Sequence, residues 1–392
     1  MILILNAGSS SLRCALFRDG QDAAVWRVHV AGIGNALKLT VTGGLDLADD
    51  PPPDGDLDAV VGWLMARMLR LPDLRLRAVG HRIVHGGTRH VGPARVDEGL
   101  IAELEALAPF APGHQPQGLA CIAAVGGAWP DLPQVACFDT AFHRTQDRLA
   151  QIEAIPRGLT EDGLPRFGFH GLSYAHVARM LPRLIGKTAK GRIVVAHLGH
   201  GASLCAMADG RSVATTMGLT TLGGLMMGTR SGTVDPGLVL HLIQSRGMTA
   251  SEVADLLERR SGLLGVSGIS DDVRVLEASE APEAREALDL FAYRIARETG
   301  SLAVALGGLD ALVFTGGIGE NAAAIRADVC GRLACLGLDL DPGRNDRGCT
   351  RIERVGATIP ILVMPADEER EIAQETEGLV GTRMTASPSP PS

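Results

Sequence analysis

The chain of 392 residues carries 37 Lys and Arg against 45 Asp and Glu, a formal charge of -8, with 46% hydrophobic and 21% charged residues. At about 150 residues per domain this is material for two or three domains, with ample apolar residues for a large core, which excludes a disordered chain. The negative balance, without a run of Lys and Arg, offers no electrostatic footprint for nucleic acid or acidic lipid and points to small-molecule chemistry.

The opening Ile2-Leu3-Ile4-Leu5 reads as a strand and not as the basic start and long apolar run of a signal peptide. No stretch is long enough to cross a bilayer: Gly118 to Pro130 is too short, and the segment from Ser301 to Gly319 is broken by Asp310. A cytoplasmic location is expected. The seven cysteines are odd in number and show no CxxC pair, which favours reduced thiols in packing positions.

After the first strand come Asn6-Ala7-Gly8-Ser9-Ser10-Ser11, then Leu12 to Phe17, then the turn Asp19-Gly20. This predicts strand, Gly/Ser turn, strand, turn, strand. The pattern returns as Ile193 to Ala196, His197-Leu198-Gly199-His200-Gly201-Ala202-Ser203, Leu204 to Ala208 and Asp209-Gly210. A duplicated domain explains the echo. Each turn offers backbone amides and hydroxyls that can cradle phosphate oxygens. Helical patterns cover Asp58 to Arg70, Leu172 to Leu184 and Leu288 to Leu306, the last stopped by Gly307-Gly308, and Thr249 to Glu252 reads as a capping box. Strands alternating with helices predict an α/β fold.

His81 and His85 lie on one strand-like segment about 13 Å apart and cannot share a metal ion. Gly186-Lys187-Thr188 lacks the glycine a Walker loop needs at position 181, where Leu181 stands. Phe314-Thr315-Gly316-Gly317-Ile318-Gly319-Glu320-Asn321 follows a buried-strand run and is expected to open a helix near Asn321, letting a ligand lie against bare backbone. Its partial dinucleotide fingerprint, Gly317-x-Gly319-x-x-Ala322, comes too late in the chain to favour a Rossmann domain. Arg82 sits in the apolar strand segment Gly80 to Gly87, and Arg230 in the glycine-rich loop Gly228 to Gly232. With the motifs Phe138 to His143 and Gly168 to Gly171, they make a cleft carrying positive charge, a carboxylate and an imidazole, a set suited to phosphoryl transfer.

Six ordered motifs, NAGSSSL, GHRIVHGG, FDTAFH, RFGFHG, MGTRSG and FTGGIGEN, resemble those of the acetate kinase family, which includes propionate and butyrate kinases, along essentially the whole chain. The resemblance implies a duplicated ribonuclease-H-like fold of the actin, hexokinase and heat-shock chaperone ATPase type, with an interlobe cleft and, as a rule, a homodimer. Residues 1-150 would form the N-terminal lobe, completed by a C-terminal helix over 367-382; residues 151-366 the C-terminal lobe; and the proline-rich 383-392 a disordered tail.

By the same resemblance Mg2+ (or Mn2+) would contact Asn6 and Glu368, and Arg13 takes the place of a family lysine in the first phosphate loop. Arg82, Val84 and Phe169 would bind the substrate, with Gly113 and Thr221 completing an apolar pocket for the acyl tail. Asp139, His170 and Arg230 would be catalytic. Nucleotide contacts fall on His197, Leu198, Gly199, His200, Gly201, Asp272, Arg274, Gly317, Ile318, Gly319, Glu320 and Asn321. The implied reaction moves the γ-phosphoryl group of ATP to a small carboxylate, acetate or propionate, giving ADP and an acyl phosphate. His200 replaces the asparagine of the family's HLGNGAS, Thr220 to Gly224 replaces its Thr-Pro-Leu-Glu-Gly, and Gly113 precedes His114 where many members have leucine. A kinase of the same fold acting on a hydroxyl acceptor is one alternative. A nucleotide-binding sensor without turnover, suggested by His200 and Arg13, is another.

Overall fold

The computed structural model describes residues 1–8, 10–44, 52–71 and 74–381, so Ser9 and the proline-rich tail expected over 383–392 lie outside the described residues. The chain divides into two compact units: residues 1–142 joined by the segment from Asp367 onward, and residues 143–366. The break falls after Phe142 and not at 150, because the next residues are tied into the second unit. His143 Nδ1 lies 2.9 Å from Ser212 Oγ, and Thr145 Oγ1 donates to the Ser212 carbonyl at 2.9 Å.

The first unit is built on seven strands: β1 (Ile2–Ala7), β2 (Ser11–Phe17), β3 (Ala24–Ala31), β4 (Lys38–Gly43), β5 (Ala78–Ile83), β6 (Ala94–Arg95) and β7 (Gln134–Phe138). Their order is β4-β3-β2-β1-β5-β7-β6. β1, β2, β3 and β4 form an antiparallel meander, while β5 and β7 run parallel to β1. All six residues of β1 are buried, as expected of a central strand covered on both faces. One face packs Leu3 and Leu5 against Val60, Val61 and Leu64 of the helix Leu57–Leu69, and Cys121 and Val125 of the helix Gln115–Ala128. The helix Glu368–Gly381 covers the other face, so closely that a Cβ on Gly80 of β5 would collide with Thr376 and Ile372.

The second unit repeats the plan with β8 (Arg192–Leu198), β9 (Ala202–Ala208), β10 (Arg211–Thr215), β11 (Ala311–Thr315) and β12 (Ile361–Val363) in the order β10-β9-β8-β11-β12. Here a three-strand antiparallel meander, one strand shorter than the β1–β4 meander, adjoins two parallel strands. The β1–β2 and β8–β9 connections therefore occupy the same topological position, between the first two strands of each meander. The helix Pro282–Leu306 packs on β8 and β9 and ends on Gly307, whose φ of 73° lets its amide reach back to the Ala303 and Val304 carbonyls. The capping box at Thr249 and Glu252 is complete. No helix among the described residues is long and apolar enough to cross a membrane.

Candidate functional site

In the first unit the polar residues singled out in the sequence gather at the carboxyl ends of β1, β5 and β7, where parallel α/β sheets bind their ligands. Asn6 stands near the end of β1, in register with Arg13 on β2, Arg82 near the end of β5, and Asp139 just beyond β7. Arg82 donates through Nε (3.1 Å) and Nη2 (2.7 Å) to one oxygen of Asp139, and its Nη1 lies 3.4 Å from Asn6 Oδ1. Asp139 is fully buried and the arginine side chain 14% exposed. The carboxylates of Asp139, Glu368 and Glu369 raise the pKa of Arg82 against the opposing effect of burial.

Asn6 Nδ2 donates to Glu368 Oε2 at 3.0 Å and to Glu369 Oε1 at 2.9 Å, so one amide holds two carboxylates of the C-terminal helix. Glu369, next to the expected metal ligand Glu368, also accepts from Arg27 at 3.2 Å. Burial and the neighbouring Glu368 charge raise the Glu369 pKa, with Arg13, Asn6 and Arg27 pulling the other way. His81 and His85 belong to separate networks, as their spacing required. His81 Nε2 pairs with Gln134 at 2.8 Å and burial lowers its pKa to about 4, while His85 Nδ1 accepts from the Gly87 amide. Among the described residues no three His, Cys, Asp or Glu side chains form a cluster able to hold a metal ion by themselves. Val84 is buried, and a Cβ on the exposed Gly113 would enter open space.

In the second unit His170, Arg230 and the turn of His197–Gly201 come together. A Cβ on Gly201 would lie 3.1 Å from Arg230 Nη2 and 3.3 Å from His170 Nε2, so glycine lets both side chains close on bare backbone. His170 Nδ1 pairs with Ser203 Oγ (2.8 Å), which Tyr174 also contacts, and its ring stacks on His197 at 4.3 Å. His197 is held by Ser173, and Arg230 donates to the Thr221 carbonyl at 2.8 Å. Phe169 is buried.

Next to this group lies a cavity of about 750 Å³ lined by Gly199, His200, Asp272, Arg274, Gly317, Ile318 and Asn321 from the expected set, and by Asp271, Val273, Glu277 and Ala322, which were not expected. Such a volume suits a nucleotide-sized ligand. His200 Nε2 lies 3.1 Å from Asp271. The Asp272 carboxylate caps Val273–Glu277 and pairs with Arg274 at 2.6 Å, and Arg274 holds its pKa down.

Other expectations need correction. The helix after β11 begins at Gly316 and not near Asn321, because Gly316 takes a φ of 80° against the Leu198 backbone and starts a helical turn, Gly316–Asn321, that precedes a second helix, Ala323–Arg332. Glu320 does not line the cavity, since its Oε1 accepts from the Ala366 amide at 2.9 Å. His197, Leu198, Gly201 and Gly319 also lie outside the lining. His143 is completely buried and presents no imidazole to a ligand. Arg326, absent from the expected set, is 1% exposed and spends its donors on the Gly319 and Glu320 carbonyls (2.9 and 2.8 Å) and on Asn345. It thereby anchors the end of the short glycine helix whose residues line the cavity. Only its place in a helix next to apolar Ile325 hinted that it turns inward.

The chain matches the model of the acetokinase family over residues 1–374. It is 50% identical to an acetate kinase of Rhodopseudomonas palustris, over 95% of this chain and 97% of that protein, and 43% identical to an acetate kinase of Rhizobium meliloti, over 97% and 98%. Among solved structures, a propionate kinase from Francisella tularensis superposes with a TM-score of 0.88 at 34% identity, covering 96% of this chain and 99% of that one. The acetate kinase of Porphyromonas gingivalis gives 0.84 at 31%, covering 97% and 99%. With two units of one strand plan, polar residues at the ends of their parallel strands and a match along nearly its whole length, the chain belongs to the acetokinase family.

Proposed function

We propose that this protein transfers the γ-phosphoryl group of ATP reversibly to a short-chain carboxylate, acetate or propionate, giving an acyl phosphate and ADP. The observation that carries the reading is the engagement of Asp139: its Oδ2 takes two donors of Arg82, so the carboxylate serves to aim a guanidinium. A hydroxyl acceptor would need that aspartate as a base. A carboxylic acid, with an ordinary pKa of about 4 to 5, arrives already ionised and needs an arginine instead.

The chemical difficulty is repulsion between two anions. Arg82 pairs with the acceptor carboxylate, while Arg230 and His170, drawn together at Gly201, neutralise charge on the equatorial oxygens of the transferring group. The acceptor oxygen forms its bond to the γ-phosphorus as the bond to the β–γ bridging oxygen breaks, and ADP leaves with that oxygen. Adenosine and the inner phosphates take the cavity of Gly199, Asp272, Arg274, Gly317 and Ile318.

The carboxylates of Glu368 and Glu369 are hard oxygen donors of the kind Mg2+ or Mn2+ prefers, and burial together with the neighbouring Glu368 charge raises the Glu369 pKa. Asn6, Glu368 and Glu369 would hold the ion, which when bound offsets phosphate charge. The helix Pro236–Gln244 has the sequence PGLVLHLIQ and no buried residue, which supports assembly of a homodimer through that apolar face. The free state of all seven cysteines fits the reducing cytoplasm.

The test is Mg2+-dependent ADP release with formate, acetate, propionate, butyrate and glycerol offered separately, acyl phosphate being trapped with hydroxylamine. Trapped product with acetate or propionate is expected. ADP release with glycerol alone would move the acceptor to a hydroxyl, and ATP binding without turnover would make the protein a sensor.

A further inference from the structure

His143 is a completely buried imidazole that the reaction leaves without a part. Its Nε2 lies 2.9 Å from the Phe169 carbonyl, which can only accept, so Nε2 carries the proton. Nδ1 then accepts from Ser212 Oγ at 2.9 Å, and Ser212 Oγ in turn receives Gln146 Nε2 (2.9 Å) and Cys205 Sγ (3.4 Å). This donor and acceptor set closes with an uncharged ring, and burial, the largest influence, lowers the His143 pKa to about 4.

Phe169 is followed by His170, whose φ of 59° lies in the left-handed region, a conformation shared by one other non-glycine, Asp209, among the described residues. Such a backbone costs about 1 to 3 kcal/mol and persists where its surroundings impose it. On the far side of His170 the constraint is Ser203 at Nδ1. On the near side it is His143: a Cβ on Gly168 (φ 74°) would lie 2.7 and 2.8 Å from atoms of the His143 ring, which therefore rests on the Gly168 backbone while binding the next carbonyl.

We infer that His143 is a positioning residue for phosphoryl transfer: through its hydrogen bond to Phe169 and its seat against Gly168 it imposes the left-handed turn that aims His170 at Gly201 and Arg230. The inference rests on the kinase reading above.

The experiment compares His143→Leu with His143→Gln, whose amide N–H can replace the Nε2 donor. Misplacement of a catalytic group by about 1 Å costs on the order of a hundredfold. His143→Leu is therefore expected to lower kcat about a hundredfold while KM for ATP and for the carboxylate change less than about threefold, and His143→Gln to restore most of the loss. A folded leucine variant with kcat within about threefold of native, or a loss shared equally by the glutamine variant, overturns the inference. Should the leucine variant not fold, Ser212→Ala decides: a fall in kcat at unchanged KM supports the role, and unchanged kcat overturns it. Absence of turnover in the native protein would count against the kinase reading alone. In that event the imidazole carbon shifts of His170, assigned with His170→Asn, still report the turn; they should move in His143→Gln less than in His143→Leu or Ser212→Ala, and identical spectra throughout would overturn the inference.

Discussion

The carboxylates of Glu368 and Glu369 lie 3.0 and 2.9 Å from one nitrogen of Asn6, which sets their oxygens about 5 Å apart. With an effective dielectric of about 20, unit charges at that distance repel by about 3 kcal/mol. Arg27, Arg13 and Arg82 offset part of this, but Arg27 is 37% exposed and also paired with Asp367 and Arg82 is held by Asp139, so burial and the residual repulsion leave a net penalty on the order of 1 kcal/mol without a divalent cation. The folded-state pKa of Glu369 is raised, so between the ordinary value of 4.5 and the raised one the folded protein holds a proton that the unfolded chain has released. The stabilisation from that proton is present below 4.5 and is lost as pH climbs through the folded value. Glu369→Gln keeps an acceptor for Asn6 and leaves Arg27 its partner Asp367, while removing the charge. In EDTA at pH 7.5 the variant is expected to melt about 1 to 3 °C above the native protein, as about 1 kcal/mol gives in a protein of this size, and the advantage should vanish near pH 4.5. Added Mg2+ should raise the native midpoint more than that of the variant. Differential scanning fluorimetry at both pH values, with EDTA or Mg2+, makes the comparison. A variant less stable than native in EDTA at pH 7.5, or equally responsive to Mg2+, would refute the reasoning.

Arg326→Leu strips the Gly319 and Glu320 carbonyls of their buried donor; KM for ATP should rise about tenfold or more, with KM for the carboxylate little changed, in steady-state assays. Gly113→Leu fills open space beside His114 and should move the chain-length profile towards acetate, as seen by comparing kcat/KM for acetate, propionate and butyrate. Leu240→Glu, at a position 54% exposed on the apolar helix Pro236–Gln244, should shift a dimer towards monomer in light scattering without altering circular dichroism.

What could be read along the chain was whatever local periodicity and composition control. The alternation of apolar runs and Gly/Ser turns located β1, β2, β8 and β9 and their duplication, because a strand and a tight turn are specified within a few residues. Arg82 stood out because a guanidinium in an apolar strand must find an anion, and it found Asp139 across the neighbouring strand. Partners chosen by packing left no such signal. Asn6 and Glu369 are separated by 363 positions, so nothing near either one announces the pair. Glu320 stands in a motif that reads as a ligand contact, yet its carboxylate is claimed by a backbone amide that arrives with β12. His143 illustrates the same limit from the other side: an imidazole beside an aspartate looks like a member of the site, and only its complete burial and the single carbonyl it faces assign it to holding the turn. The candidate site residues legible in the sequence are thus the ones whose chemistry is unusual for their local setting, whereas those that aim them look ordinary until the sheets bring their partners near.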